Sequence, residues 1–435
     1  MPIELLHAND REGRYPPSWY AETAHPFEEQ PSLLGDERAD VCIIGAGYTG
    51  LSAALHLREA GYDVMVLDAH RAGWGASGRN GGQVGTGQRL DQDALEEMLG
   101  DAMARRLWDL AEESKQAVRD LIARHDIDCE PVPGIIHADH RERFVPHSRA
   151  YAEKLNTTYD YPHIRFVDRE EIRSLIGSPG YFGGTFDSDS FHIHPLSYAL
   201  GLARAAVAMG VRLCERSEVM EIRRGDKVTV LTRNGSVVAD HCIIACNGYL
   251  GGLEKSVASR VMPINNFIIA TEPLSETLAK RLIANNAAVA DSRFVINYFR
   301  LSSDLRLLFG GGENYGYRFP SDIAAFVRRP MLKVFPSLEN IRITHGWGGT
   351  LAITVNRLPA FRRVEGNIVS ASGFSGQGVT LATLAGRILA EAVRGQMERF
   401  DVMASLPSMP FPGGAALRWP MLVLAMTWFS LRDRL

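Results

Sequence analysis

The period of the apolar positions changes twice along residues 40–68. Residues 41–44 are a continuous apolar run, which predicts a strand buried on both faces. From residue 51 to residue 57 the apolar positions recur at helical spacing. A second apolar run at 64–67 predicts another strand. This order predicts a strand–helix–strand unit with a parallel pair of strands.

Three glycines lie between the first predicted strand and the helix. Gly45, Gly47 and Gly50 have the spacing G-x-G-x-x-G, which permits a tight turn, close approach of a pyrophosphate and close packing of helix on strand. Asp68 ends the second strand, where a carboxylate can accept a hydrogen bond from a ribose hydroxyl. The unit therefore predicts a dinucleotide site, and the alternative is a glycine-rich turn that binds no ligand.

Further along the chain, a glycine-rich loop at 73–87 carries Ser77, Arg79 and Asn80, and we expect its backbone to pass close to a ligand. The apolar spacing over 91–127 predicts helices. Short apolar runs at 130–186 and 260–345 predict strands of a second domain. Asn234 and Gly235 predict a hairpin turn.

A second strand–turn–helix unit follows late in the chain. Residues 367–373 predict a strand, 374–378 a glycine turn and 379–393 a long helix. The start of such a helix offers N–H groups to a partial negative charge. A nicotinamide enzyme would not need this unit, whereas a flavin, which gains negative charge on reduction, would use it. An ordinary core helix is the alternative.

Composition narrows the class of protein. The chain has 435 residues and a net charge of −4, without a dense basic block, so nucleic-acid binding is disfavoured. Its five cysteines show no C-x-x-C pair, which fits a reducing cytoplasm. No run reaches the ~20 apolar residues of a membrane span. We expect the apolar stretch 419–429 to be a packed terminal helix, with peripheral membrane contact as the alternative.

The scattered histidines do not predict a metal site. His137, His140, His147 and His163 have irregular spacing and no flanking carboxylate or cysteine pattern, so we expect surface or hydrogen-bonding roles. The H-x-H at residues 192–194 lacks an evident third ligand and is expected in a loop packed near the nucleotide.

The predicted fold class is α/β, with a discontinuous FAD-binding Rossmann-like domain and an interleaved α+β substrate domain on an antiparallel or mixed sheet. The predicted boundaries, in chain order, are an N-terminal arm at 1–37, FAD domain at 38–90, helices and substrate domain at 91–186, FAD domain at 187–259, substrate domain at 260–345, FAD domain at 346–400 and a C-terminal tail at 401–435.

Five segments together resemble the D-amino-acid-oxidase/glycine-oxidase superfamily of FAD enzymes, over nearly the whole chain. These segments are 40–50, 73–83, 246–249, 347–349 and 373–378. The string from Gly73 to Gln83 is similar to the branch that contains gamma-glutamylputrescine oxidases. The resemblance implies that Asp68 holds the adenosine ribose, where the family more often has Glu, and that Val219 packs at the adenine.

The same resemblance implies a wider cofactor-binding set, with Gly376, Gln377 and Gly378 at the pyrimidine edge of the flavin. The full set is Gly45, Gly47, Tyr48, Thr49, Gly50, Asp68, Ala69, Ser77, Gly78, Arg79, Asn80, Gly81, Gly82, Gln83, Val219, Asn247, Gly248, Gly373, Ser375, Gly376, Gln377, Gly378 and Val379. No Cys follows Cys246 and loop 73–87 has no His, so the flavin attachments of some relatives cannot form and non-covalent FAD is expected.

The implied reaction is oxidation of an amine C–N bond by hydride transfer to flavin N5, giving an aldehyde, ammonia and, with oxygen as acceptor, hydrogen peroxide. Relatives that act on alpha-amino acids often carry an Arg soon after W-x-G. Thr350 and Leu351 stand here, which favours an amine such as a gamma-glutamylputrescine-like substrate. Tyr298, Arg300 and Trp347 are the catalytic candidates, with ordinary strand or packing roles as the alternative.

Three other activities remain open from the sequence. One is an amino-acid oxidase of the sarcosine, glycine or D-amino-acid kind. Another is a dehydrogenase that passes electrons to a quinone, with the tail docked on a membrane. The third is a flavin-binding sensor without turnover.

Overall fold

Two β-sheets organise the chain, and the polypeptide passes between them several times. The computed structural model describes residues 5–9, 13–314 and 316–412. The strands in chain order are β1 Gly35–Ile44, β2 Val64–Leu67, β3 Gln83–Val84, β4 Val132–Ala138, β5 Ile164–Val167, β6 Gly184–His192, β7 Arg212–Cys214, β8 Val219–Arg223, β9 Val228–Thr232, β10 Gly235–Ile244, β11 Met262–Thr271, β12 Ala288–Asp291, β13 Tyr298–Leu301, β14 Leu307–Asn314, β15 Ile343–Ile353, β16 Ala360–Glu365 and β17 Ile368–Ser372.

The helices connect and cover these sheets. In chain order they are α1 Leu5–Ala8, α2 Trp19–Thr23, α3 Tyr48–Glu59, α4 Gln92–Leu99, α5 Asp101–Arg124, α6 Val145–Thr158, α7 Arg169–Leu175, α8 Pro195–Ala208, α9 Lys255–Ala258, α10 Glu276–Leu282, α11 Ile323–Val334, α12 Gly378–Val393 and α13 Glu398–Ala404. Short 3-10 helices lie at Ala76–Gly78, Glu142–Phe144, Asn247–Tyr249 and Pro336–Leu338.

The first sheet confirms the predicted α/β architecture. Its strands run β16-β17-β10-β1-β2-β7, and β17, β10, β1, β2 and β7 are parallel. Val41, Cys42 and Ile43 of β1 are fully buried. Helices α3, α5, α8 and α12 belong to the core cluster on one face, while the β8–β9 strands contribute to the cluster on the other. A strand covered on both faces needs apolar residues throughout, which explains the continuous apolar run.

The second sheet is mixed, as expected for the interleaved domain. Its order is β15-β11-β14-β13-β12-β4-β6-β3, with β5 beside β6, and β12–β4 is its parallel pair. Residues of α7, α10 and α11 pack on its outer face in a separate apolar cluster. The inner face is turned toward the first sheet and lines a cavity.

The sheets cross the predicted domain boundaries at two places. β15 pairs with β11 as far as Ile353, so the second sheet continues past residue 346. β3 and β6 pair with each other in the second sheet, although residues 83–84 and 187–192 fall in predicted FAD-domain segments. Both differences from the predicted boundaries follow from strand pairing, because each of these strands is hydrogen-bonded within one sheet along its length.

The two glycine-turn units pack directly on each other. Helix α12 lies against α3, and Ser52 Oγ of α3 donates a hydrogen bond to Thr383 O of α12 at 2.7 Å. No helix within the described ranges is long and apolar enough to cross a bilayer. The apolar stretch 419–429, and with it the predicted terminal helix, lies outside the described residues.

Candidate active site

One large cavity connects the two glycine turns. It has a volume of about 1860 Å³ and is lined by residues 44–49, by Asp68 and by residues 374–379. Sites for drug-sized ligands typically measure roughly 300–1,000 Å³. The volume therefore leaves room for an elongated cofactor and a substrate together. The strand order produces this arrangement, because β1, β10 and β17 are neighbours and their carboxyl ends share one edge of the sheet.

The early turn presents the start of α3 to the cavity. The helix begins at Tyr48, its N-cap is Gly47, and the Ser77 hydroxyl accepts a hydrogen bond from Tyr48 N at 3.1 Å. Gly50 is required by close packing, because a Cβ there would lie 1.8 Å from Gly45 O. The remaining N–H groups of the first helical turn have no intrahelical partner and form an anion-binding end.

Asp68 lies where the ribose acid was predicted, with part of its carboxylate already engaged. Oδ2 accepts a hydrogen bond from Ala46 N at 2.7 Å and Oδ1 from His70 N at 2.8 Å. Burial raises the pKa of the carboxyl above its ordinary value, and the two backbone hydrogen bonds oppose that shift. Each oxygen keeps a further lone pair, so the side chain can still accept a hydroxyl hydrogen bond.

The late turn approaches the same cavity from the other side. Gly376 has φ +102°, a backbone conformation that L side chains rarely adopt. Gln377 is the N-cap of α12, and its Nε2 donates to Gly85 O at 3.2 Å, which ties the late turn to loop 73–87. Asn247 Oδ1 accepts a hydrogen bond from Gly373 N at 3.0 Å and so braces the turn.

Most predicted cofactor residues line this cavity. Those that do are Gly45, Gly47, Tyr48, Thr49, Asp68, Ala69, Ser77, Arg79, Asn80, Gly81, Gln83, Val219, Asn247, Ser375, Gly376, Gln377, Gly378 and Val379. The other five belong to the same turns but do not line the cavity, and they lie behind the residues that form its wall, namely Gly50, Gly78, Gly82, Gly248 and Gly373.

The three predicted catalytic residues occupy different layers. Tyr298 lines the cavity, and its hydroxyl donates to Asn266 Oδ1 at 2.5 Å. Trp347 is 1% exposed and donates through Nε1 to Arg79 O at 3.2 Å. It lies behind the wall, where an indole buried on all sides cannot contact a ligand in the cavity.

Arg300 also lies behind the wall, because its guanidinium is committed to the backbone. It donates to Gly81 O at 3.1 Å, to Ile193 O at 3.0 Å and to Leu301 O at 3.2 Å. The side chain is buried. The geometry therefore favours a positioning role that holds Gly81, in place of the substrate contact that the sequence suggested.

A row of residues across the second sheet forms the floor of the cavity. The strand register places Thr185, His137, Ala290 and Tyr298 side by side on four adjacent strands. All four line the cavity. Tyr298 leans toward the next strand, because a Cβ at Gly310 would come within 2.1 Å of its ring. The small Ala290 therefore opens a notch between the tyrosine and the histidine.

His137 is a site residue that the sequence reasoning missed. It was expected at the surface or in a hydrogen bond, yet its exposed surface faces the cavity. Burial by the surrounding protein lowers its pKa, the nearby Arg89 adds to that effect, and Asp187 opposes it. The signal was the alternation over 135–139, where polar residues at 137 and 139 mark one face of the strand.

The thiol in this cavity is unsuited to attack on a cofactor. Cys246 lines the cavity near Ile44, whose carbonyl accepts a hydrogen bond from the sulfur at 3.5 Å. Burial raises the pKa of the Cys246 thiol to about 12, so it is a neutral thiol at neutral pH. The residues around it belong to the early turn, on the side of Asp68.

Comparison with known proteins decides the family. Residues 40–392 match the FAD dependent oxidoreductase (DAO) family. The chain belongs to this family. The matched region spans both glycine turns and the second sheet between them, and the turns, the helix starts and the Asp68 carboxylate described above fit FAD.

Two curated relatives cover almost the whole chain. The probable oxidoreductase OrdL of Rhizobium meliloti (strain 1021) is 44% identical over 96% of this chain and 97% of its own length. The gamma-glutamylputrescine oxidoreductase of Escherichia coli (strain K12) is 41% identical over 96% of this chain and 98% of its own. Among solved structures, glycine oxidase from Geobacillus kaustophilus superposes with a TM-score of 0.71 at 19% identity, covering 84% of this chain and 98% of that one. That likeness shows the fold.

Proposed function

We propose that this protein is an FAD-dependent oxidase that oxidises the C–N bond of an elongated amine similar to gamma-glutamylputrescine. The observation that carries the proposal is the continuation of the cofactor cavity over the inner face of the second sheet. The similarity to the E. coli enzyme over nearly the full length of both chains supports the choice of an amine.

The charge on that sheet face also supports an amine. The sheet residues that line the cavity, in the described part of the chain, include no Lys or Arg. Asp187 on β6 supplies a carboxylate, but its oxygens already accept hydrogen bonds from Tyr161 at 2.7 Å and Ser190 at 2.6 Å. A floor without cations suits a substrate whose reacting end is a nitrogen base.

We assign three parts of FAD to segments of this chain. The start of α3 would hold the diphosphate, Asp68 the ribose and the late turn at 373–378 the pyrimidine edge of the flavin. When bound, FAD supplies the acceptor for the two electrons that leave the amine. We expect non-covalent binding, since the thiol of Cys246 lies beside the early turn.

The residues of the chain would place the amine and exclude water. Tyr298 and His137 flank the notch at Ala290. The notch would hold the carbon–nitrogen bond of the amine so that the reacting atoms are ~3–3.5 Å apart, as reaction requires. Behind the wall, Arg300 and Trp347 fix the backbone of loop 73–87. We name no general base, because an amine that binds in its neutral form needs none.

One observation favours a second candidate. Arg357 lines the cavity, and its positive charge would attract a substrate carboxylate even though the position after W-x-G lacks a cation. An alpha-amino acid is therefore the second candidate substrate. A quinone as electron acceptor, and membrane contact through residues 419–429, would concern a segment outside the described residues.

The test is a substrate panel with the FAD-loaded protein under nitrogen. The panel contains gamma-glutamylputrescine, putrescine, N-methyl amino acids and D-amino acids, and flavin reduction is followed by absorbance. We expect the gamma-glutamyl amine to reduce the flavin fastest, and hydrogen peroxide to form when air is admitted. Reduction by alpha-amino acids alone would refute the amine proposal. Reduction without peroxide would point to another acceptor, and no reduction at all to a non-catalytic flavoprotein.

A further inference from the structure

A buried carboxylate beyond the notch has an unmet hydrogen-bonding capacity. Asp139 follows β4 directly, lines the cavity and is 5% exposed. Among the described residues, its Oδ2 has no hydrogen-bond partner. Leaving a buried acceptor unpaired costs roughly 1–3 kcal/mol, and more when the group is charged, so such groups are rare without a reason.

The backbone holds this carboxylate in place. Asp139 N donates to Gly183 O at 2.8 Å, and its carbonyl accepts from Phe182 N at 2.9 Å. These bonds fix the Cα of Asp139 at the edge of the cavity, so its short side chain can reach only partners that lie there. A cation from the cavity is the partner that a fixed carboxylate at its edge would take.

Two basic side chains near Asp139 have other carboxylates as partners. Arg293 is paired with Asp291, and His147 lies 3.3 Å from Asp91. Burial raises the pKa of the Asp139 carboxyl, while Ser148 and His147 beside it oppose that shift.

The distance from the notch to Asp139 follows from the strand register. Ala290 pairs with His137 across the parallel strands β12 and β4. Asp139 is two residues beyond His137, just past the end of β4. This places it about 8 Å from Ala290 along the floor, from a rise of ~3.3 Å per residue and a strand spacing of ~4.8 Å. An amine that reacts at the notch would therefore need several more bonds to reach it.

We propose that Asp139 binds a second, positively charged nitrogen of the substrate. Resting on the proposed function, this inference names the substrate class as elongated amines with a cationic group at each end. In a gamma-glutamyl amine, the alpha-ammonium group would be the second cation. Monoamines and amines with a neutral far end would lose this contact.

The test compares two substrates that differ in one group. Gamma-glutamylputrescine carries the alpha-ammonium, and N-glutarylputrescine lacks it while keeping the carboxylate and the reacting amine. We expect the wild-type protein to prefer the first by at least tenfold in kcat/KM. The variant Asp139→Asn should lose at least tenfold with gamma-glutamylputrescine and less than twofold with N-glutarylputrescine.

A matched control removes a nearby charge outside the cavity. Glu142 is exposed, three residues further along the chain, and does not line the cavity, so Glu142→Gln should leave both kcat/KM values unchanged. Equal use of both substrates by the wild-type protein would overturn the inference without any variant. An equal loss with both substrates in Asp139→Asn would also overturn it, because that pattern indicates a structural role.

The inference can fail separately from the proposed function. If neither compound reduces the flavin, the proposed function fails, and calorimetric binding of the same two compounds to the FAD-loaded protein decides the inference. Tighter binding of gamma-glutamylputrescine that disappears in Asp139→Asn would support a cation site. Equal binding, or a preference unchanged in the variant, would overturn it.

Discussion

Gly376 allows a stringent test of the late turn as part of the FAD site. Its φ of +102° places a substituted alanine in the left-handed region, which costs roughly 1–2 kcal/mol for a residue with a Cβ. A Cβ there would have Arg89 Nε as its nearest neighbour, at 4.0 Å. The added methyl group would therefore project into the cavity, where we place the pyrimidine edge of the flavin.

Gly395 provides the matched control. It follows α12 with φ +84°, a Cβ there would meet nothing within 4 Å, and it does not line the cavity. Both alanine variants should lose a similar ~1–2 kcal/mol of stability from backbone strain. That strain is present with and without FAD and cancels in the binding constant. Only Gly376→Ala should weaken FAD binding, by at least about tenfold, which equals ~1.4 kcal/mol.

Flavin fluorescence during titration of apoprotein with FAD gives the dissociation constants, and thermal unfolding gives the stability of each variant. We expect Gly395→Ala to bind FAD within about twofold of the wild-type protein, since its strain cancels between the two states. Wild-type FAD affinity in Gly376→Ala would refute the placement of the late turn at the flavin. Equal weakening in both variants would also refute it, because backbone strain cancels in the binding constant and Gly395 lies outside the cavity.

Three further predictions address stability, positioning and attachment. His194 caps α8 by accepting a hydrogen bond from Ser197 N, and burial lowers its pKa to about 3, so the unfolded chain takes up its proton first as the pH falls below ~6.5. From pH 7 to pH 5 this group should cost the fold about 2 kcal/mol of stability. Thermal unfolding at both pH values should show that this loss is absent in His194→Asn and present in the exposed His163→Gln. Equal pH dependence in the two variants would contradict the prediction. Arg300→Lys leaves buried carbonyls unpaired and should lower both the melting temperature and FAD retention, because each unpaired group costs roughly 1–3 kcal/mol; wild-type values of both would contradict the positioning role. Urea denaturation followed by filtration should release all of the flavin, and flavin retained on the polypeptide would refute non-covalent binding.

The parts of the fold that sequence reasoning could predict are those with local signals. The early unit has its glycines, apolar runs and Asp68 within one short stretch, and the structure has β1, α3 and β2 there. The late unit was recognisable for the same reason, as β17 and α12 show. In each unit, the tight turn between strand and helix depends on glycines that lie within a few positions of one another.

The floor of the cavity could not be predicted in this way. The position of His137 depends on its pairing with Ala290, more than 150 residues later, and on which face of β4 the flavin domain covers. Arg300 and Trp347 were candidates for substrate contact, with packing as the alternative, but both lie behind the cavity wall, because their depth depends on carbonyls of distant loops. Burial of this kind is a property of the assembled sheets and leaves no local signal in the chain.

An anaerobic titration of the FAD-loaded protein with gamma-glutamylputrescine tests the central claim most directly. The account predicts that the visible absorption band of oxidised flavin disappears in proportion to added amine, with one molecule consumed for each flavin. A flavin band that stays unchanged with this amine and with every other compound of the panel would contradict it. So would a purified protein that is colourless and takes up no FAD.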